Sequence, residues 1–188
     1  MKRLLACCAF LAVPAMLAAQ QGMTMHPAGG PPQSPAATAT ATVAGKTISI
    51  VYSAPAVRGR EGKLFGPGGR ISHDPTYPVW RAGANEATKL HTDADLTLGT
   101  LAVPKGDYTL WVDVSDPNQW VLIVNKEVGQ WGVKYDKTLD LGRVPMTVSK
   151  PPALIENLKY DLSGLGTPDG EITLCWENFI ATVPVAVH

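Results

Sequence analysis

From Val43 onward, apolar and polar residues alternate with a period of two, and no stretch holds a 3.6-residue period over three turns. A period of two is the spacing of a strand with one buried face, so this chain is committed to sheet. Ile48, Ile50 and Tyr52 alternate with Thr47, Ser49 and Val51. Tyr108, Leu110, Val112 and Val114 form one face of a second strand, with Thr109, Trp111 and Asp113 on the other. Leu158, Tyr160 and Leu162 repeat the pattern, as do Ile172, Leu174 and Trp176. Residues 121–124 are continuously apolar, the mark of a strand covered on both faces. Val183, Val185 and Val187 alternate around Pro184, which cannot donate to a ladder and points to an edge or a bulge.

Turn chemistry separates these strands. Asp116-Pro117-Asn118 suits a type I turn, with Asp first and Pro pre-setting φ at the second position, and Thr167-Pro168-Asp169-Gly170 follows the same logic. Short strands at near-regular spacing with Pro- and Gly-rich turns predict an all-β fold: a single antiparallel β-sandwich, jelly-roll-like, with long loops and little helix. One connection stands out. Residues 58–77 carry five glycines and two prolines over a length unusual for a structureless loop, and loops of that length are often functional.

The N-terminus reads differently. Lys2-Arg3 followed by an apolar run from Leu4 to Leu17 and the small pair Ala18-Ala19 predicts an export signal over residues 1–19. The run is too short for a membrane span. A lipidation box at Leu4-Leu5-Ala6-Cys7 lies too close to Met1 to be the better reading. Residues 20–42 contain no charge and almost no large apolar side chain, so they are expected to be a flexible tether, with the sandwich domain over 43–188. Export, to the periplasm or beyond the cell, removes Cys7 and Cys8 and leaves Cys175 without a disulfide partner in its own chain. It also takes the formal charge from +0 to −2. No Lys/Arg run remains, which excludes the electrostatic footprint of a nucleic-acid binder, and no amphipathic helix suits a membrane surface.

One segment exceeds what strand and turn chemistry require. Val79-Trp80-Arg81-Ala82-Gly83-Ala84-Asn85-Glu86-Ala87-Thr88 gathers an aromatic, a guanidinium, an amide and a carboxylate around a glycine. It is accompanied by Tyr52-Ser53-Ala54-Pro55, Arg58-Gly59-Arg60, Phe65-Gly66, Pro104-Lys105-Gly106-Asp107-Tyr108, Asn125-Lys126, Gln130-Trp131-Gly132, Trp176 and Val183-Pro184-Val185. In this order, from about Val43 to the C-terminus, these residues resemble the secreted bacterial family known as domain of unknown function 2911. That family carries no established activity, so the resemblance implies compartment and architecture rather than a reaction. It also implies a turn near Asp93 to Asp95.

The candidate ligand-binding residues are Trp80, Arg81, Asn85, Glu86, Arg58, Asn125, Lys126 and Trp131. On one reading Gly83 lets the backbone turn tightly, Arg81 grips a carboxylate, phosphate or sugar hydroxyl, and Trp80 or Trp131 offers a stacking face. On the other, Arg81 pairs with Glu86 or with backbone carbonyls, while Trp80 and Trp131 fill the sandwich and its end. Arg60, Lys63, Arg70 and Gln130 add polar groups nearby in sequence. Glu86 is the one carboxylate in a distinctive enough setting to serve as an acid or base.

No metal site and no cofactor are expected. Met23, Met25 and His26 have soft donors suited to Cu(I), but they also fit a low-complexity tail. His91, Asp93 and Asp95 share a strand face only if no turn intervenes, and His73-Asp74 sits in the long loop. The hydrolase elbow, zinc-protease, phosphate-loop and dinucleotide motifs are absent from the sequence. Cys175 alternates with Leu174 and Trp176 and should face away from the core. The expectation is an exported, non-enzymatic β-sandwich that binds a small molecule, glycan or envelope partner. The alternatives are a polysaccharide-directed hydrolase using Glu86, or a purely structural interaction module.

Overall fold

The computed structural model describes residues 33–188. The expected export signal, most of the tether, and Met23, Met25 and His26 lie outside the described residues. The chain forms a two-sheet antiparallel β-sandwich, as the alternation predicts. The first sheet contains β1 (Ala36–Val43), β2 (Lys46–Ser53), β4 (Thr88–Thr92), β7 (Gly106–Asp113), β8 (Val121–Asn125) and β9 (Asp140–Pro145), in that spatial order. A two-residue β3 (Val79–Trp80) also pairs with β7. The second sheet runs β11 (Ile155–Ser163), β12 (Glu171–Glu177), β13 (Phe179–Val187), β5 (Leu96–Leu98), β6 (Leu101–Val103), with β10 (Thr147–Ser149) also on β13. Among the described residues no helix is long and apolar enough to cross a membrane.

The inward faces are those the period-two pattern selects. Ile48, Ile50, Tyr52, Tyr108, Leu110, Val112, Val114, Leu158, Tyr160, Ile172, Leu174 and Trp176 all join the core between the sheets. The apolar 121–124 run is indeed covered twice. Leu122 and Val124 face the main core, whereas Ile123 packs with Val79, Ala87 and Trp111 in a second cluster against Tyr135. Asp116 closes its turn as expected, its carbonyl accepting from Gln119 N at 3.2 Å and its carboxylate from Asn118 N at 2.8 Å.

Two expectations need correction. Strand β1 lies almost wholly inside the segment read as a tether, paired with β2 from Ala36 opposite Ser53 to Val43 opposite Lys46. Its residues are too small to register as a hydrophobic strand, yet Ala37, Ala39 and Val43 pack on the core while the threonines point out. Pro184 sits neither on an outer edge nor in a bulge. Its carbonyl accepts from Gly99 N on the β5 side, so its missing N–H falls in the gap where β10 has ended and β5 has not begun.

One detail of register places the site. Trp80 stands opposite Val112 and Thr88 opposite Leu110, both antiparallel to β7. Strands β3 and β4 therefore lie in one line along the same side of β7, and residues 81–87 are looped out of that line opposite Trp111. The signature segment is this excursion.

Candidate functional site

The excursion is cinched at its neck. Trp80 Nε1 donates to the Gly83 carbonyl at 3.1 Å, and the Ala82 carbonyl accepts from Thr88 Oγ1 at 3.1 Å and from Tyr160 Oη at 3.0 Å. These bonds hold Ala82, fully buried, at a φ of 51°, a strained value for a residue with a Cβ. Burial pushes the Tyr160 phenol well above its usual range, so it stays a donor to Ala82. Asn85 is also left-handed, at φ 61°, and its Nδ2 donates to Ser53 Oγ at 3.2 Å. Gly83 is required for space rather than for the turn: a Cβ there would lie 2.9 Å from Thr88 Oγ1.

Arg81 does not pair with Glu86. Its Nη2 donates to Asp74 Oδ2 at 2.6 Å, with the two side chains 11% and 25% exposed. Asp74 arrives from the end of a 3-10 turn, Arg70–His73, in the long loop. Glu86 points elsewhere, its carboxylate 2.9 Å from Lys89 Nζ with both side chains well exposed. The chain around Glu86 bridges Trp131, and the Asn85 carbonyl accepts from Gly132 N at 3.0 Å, so the 130–132 segment is laced to the excursion by main chain.

Between the excursion, the long loop and the start of the described chain lies a cleft of about 320 Å³. Trp80 and Trp176 form its floor, stacked with centroids 5.7 Å apart and planes at 20°, and Phe65 meets both edge-on. Trp131 stands at the wall, 50% exposed, rather than plugging the sandwich end. Arg58, Arg60, Arg70 and Arg81 all line the cleft, with Asp74 as the one carboxylate among its lining residues. Arg58 Nη2 donates to the Gln33 carbonyl at 2.7 Å. Arg60 donates from Nε to the Val57 carbonyl at 2.8 Å and from Nη2 to the Ala56 carbonyl at 2.7 Å. The loop carrying these arginines is held by Glu177, whose buried carboxylate accepts from Gly62 N at 2.8 Å. Burial raises the Glu177 pKa.

Of the eight residues singled out from sequence, Trp80, Arg81, Asn85, Arg58 and Trp131 meet at this cleft, and Glu86, Asn125 and Lys126 do not. Asn125 is fully buried and structural. Its Nδ2 donates to the Asp136 carbonyl at 2.8 Å and to Asp140 Oδ1 at 2.9 Å, and its Oδ1 accepts from Glu127 N at 2.9 Å. Lys126 is an exposed residue of the following turn. Gln130 is buried with its Nε2 on Thr109 Oγ1 at 3.0 Å, anchoring the segment that presents Trp131. Sequence reasoning missed Asp74 as the partner of Arg81; of the further long-loop cations it named, Lys63 is not a lining residue of the cleft and Arg60 and Arg70 are. The long loop's run of arginines and glycines was their signal.

The other candidates fall away from the cleft. His91 lies between Asp107 Oδ1 at 2.8 Å and Asp93 Oδ1 at 3.2 Å on the sandwich surface, while Asp95 turns off to cap Lys105 N. Strand β4 has ended by then, as the resemblance implied. Among the described residues no three His, Cys, Asp or Glu side chains are grouped to hold a metal ion. Cys175 stands outside the main core cluster, as its alternation requires, but is buried, and that burial pushes its thiol pKa up.

The family described as "Protein of unknown function (DUF2911)" matches residues 34–185. This chain belongs to the DUF2911 family. The match takes in β1 as well as the cleft, so the strand hidden in the low-complexity stretch is part of the DUF2911 domain. No curated protein and no solved structure is matched by the chain.

Proposed function

We propose that this DUF2911 protein is an exported, non-enzymatic binding module, and that its cleft takes a small molecule or glycan. One observation carries the reading: Trp131 keeps half its surface exposed beside a guanidinium, Arg81, that is oriented by Asp74 in the wall of the same cleft. A buried, aimed guanidinium and an exposed aromatic face are what hydroxyl and ring recognition need. Export rests on Lys2-Arg3, the apolar run behind them and the small residues at 18–19.

The hydrolase alternative draws no support from this arrangement. Glycoside hydrolysis uses two carboxyl groups flanking the bond. Here Glu86 stands outside the cleft, and Asp74 is already engaged by Arg81. A thermal-shift screen of the purified protein against neutral and acidic sugars tests the binding reading, because a ligand specific to the native state raises the melting temperature. Trp131→Ala should abolish the shift without altering the unliganded melting temperature. A screen in which no sugar moves the melting temperature leaves the third alternative, a structural module.

A further inference from the structure

We infer that the cleft's ligand is an organic anion with a flat apolar face, the arginines holding its acid group and the Trp131 indole its ring. The inference rests on the cleft being a ligand site and names the class of ligand. Four guanidiniums line it against one carboxylate, an excess of three positive charges in about 320 Å³. Composition does not produce that excess, since the whole chain has 16 basic and 16 acidic residues.

Arg58, Arg60 and Arg70 form no ion pair among the described residues, and the Glu156 carboxylate accepts from the Arg58 main-chain N at 2.8 Å rather than from its guanidinium. Arg58 and Arg60 are held by the carbonyls of Gln33, Val57 and Ala56. A carbonyl fixes the direction of a guanidinium and leaves its charge in place. Asp74 compensates Arg81, and Arg70, exposed on the 3-10 turn, forms no ion pair among the described residues. Like charges so gathered repel one another until a carboxylate or phosphate enters, and guanidiniums bind both groups through paired N–H donors. The aromatic wall makes an inorganic ion an incomplete occupant. A volume near the low end for ligand pockets suits a single ring. A hexuronate has both parts: a carboxylate, and a C–H face that stacks on an indole.

The test is calorimetric titration of the purified protein with glucuronate, glucose and inorganic phosphate. Glucuronate should bind at least about tenfold more tightly than glucose, one charge-assisted contact being worth that much. Its affinity should fall with added salt. Arg70→Gln and Trp131→Ala should each weaken glucuronate about tenfold, with melting temperatures at the wild-type value showing that both variants fold. Glucose binding as tightly as glucuronate would overturn the acid assignment and leave the cleft a ligand site. Phosphate binding as tightly as glucuronate, with Trp131→Ala silent, would overturn the flat-face assignment. Failure of all three to bind would overturn both the anion and the ligand reading.

Discussion

Gly132 is seated directly against Arg81: a Cβ at Gly132 would lie 3.0 Å from Arg81 Nε, closer still to Arg81 Cδ, and 2.6 Å from the Asn85 carbonyl. The main chain of the Trp131 segment thus roofs the guanidinium stem, and only a residue without a side chain leaves room. Arg81 Nε, sealed under that roof, is a buried donor with no described acceptor. Gly132→Ala should destabilise the domain by roughly 1–3 kcal/mol, because the obstructing Asn85 carbonyl is backbone and cannot swing away. Chemical denaturation measures this. A variant as stable as wild type would show that the two segments are not locked together.

Asp74 and Glu86 should behave oppositely, although sequence spacing favours Glu86 as the partner of Arg81. Asp74→Ala leaves a mostly buried guanidinium uncompensated and should cost about 2–3 kcal/mol, somewhat less than a fully buried pair because Asp74 is a quarter exposed. Glu86→Ala removes a surface contact to Lys89 and should change stability by less than about 0.5 kcal/mol. A double-mutant cycle on Asp74 and Arg81 should show coupling, and one on Glu86 and Arg81 should show none. Equal losses in the two single variants would contradict the pairing.

Trp176→Ala removes one half of the stacked floor and should cost about 3–5 kcal/mol by equilibrium denaturation. Its neighbour Cys175, buried and held protonated, should react slowly with an alkylating reagent in the native protein and rapidly once unfolded. Fast native labelling would mean that the burial of Cys175 is readily relieved in the folded protein.

His91 supplies a pH signature away from the cleft. The Asp107 hydrogen bond, ahead of the Asp93 one, raises its pKa above the ordinary histidine value. A raised pKa means the charged form is favoured in the fold, so this stabilisation is full below the unfolded histidine value and is lost as pH rises through the folded one. Asp107→Asn should therefore lower the melting temperature most near about pH 5 and least near about pH 9. A gap that widens toward alkaline pH would reverse the sign.

Truncation separates the tail from the fold. Deletion through Thr42 removes nearly all of β1 and exposes the edge of β2, and should lower the melting temperature by roughly 5 °C or more. An unchanged melting temperature would make β1 dispensable.

Strand faces were legible because large apolar side chains report burial directly: Ile48, Leu110, Leu174 and Trp176 each went where alternation sent them. β1 was not, because its inward residues are mostly alanines, whose small surface barely shifts a hydrophobic pattern although its period of two is regular. The cleft was half legible. Trp80, Arg81, Asn85 and Trp131 stood out by residue type, but which charges meet depends on how a glycine-rich loop folds back over the sheet. Asp74 reaches Arg81 through such a fold-back, and no local spacing encodes that. Asn125 shows the converse. An amide fit for ligand recognition is consumed by the backbone of its own loop.

Strands β3 and β4 resume the same line along β7 on either side of residues 81–87, so the chain leaves the sheet and returns to it without a change of side or partner strand. The ladder is fixed by Trp80 opposite Val112 and Thr88 opposite Leu110, and the excursion hangs from these two rungs as a clasp closed by the bonds to the Ala82 carbonyl. A lesion within the clasp is therefore felt first by the cleft wall, while the two rungs keep the strands in step.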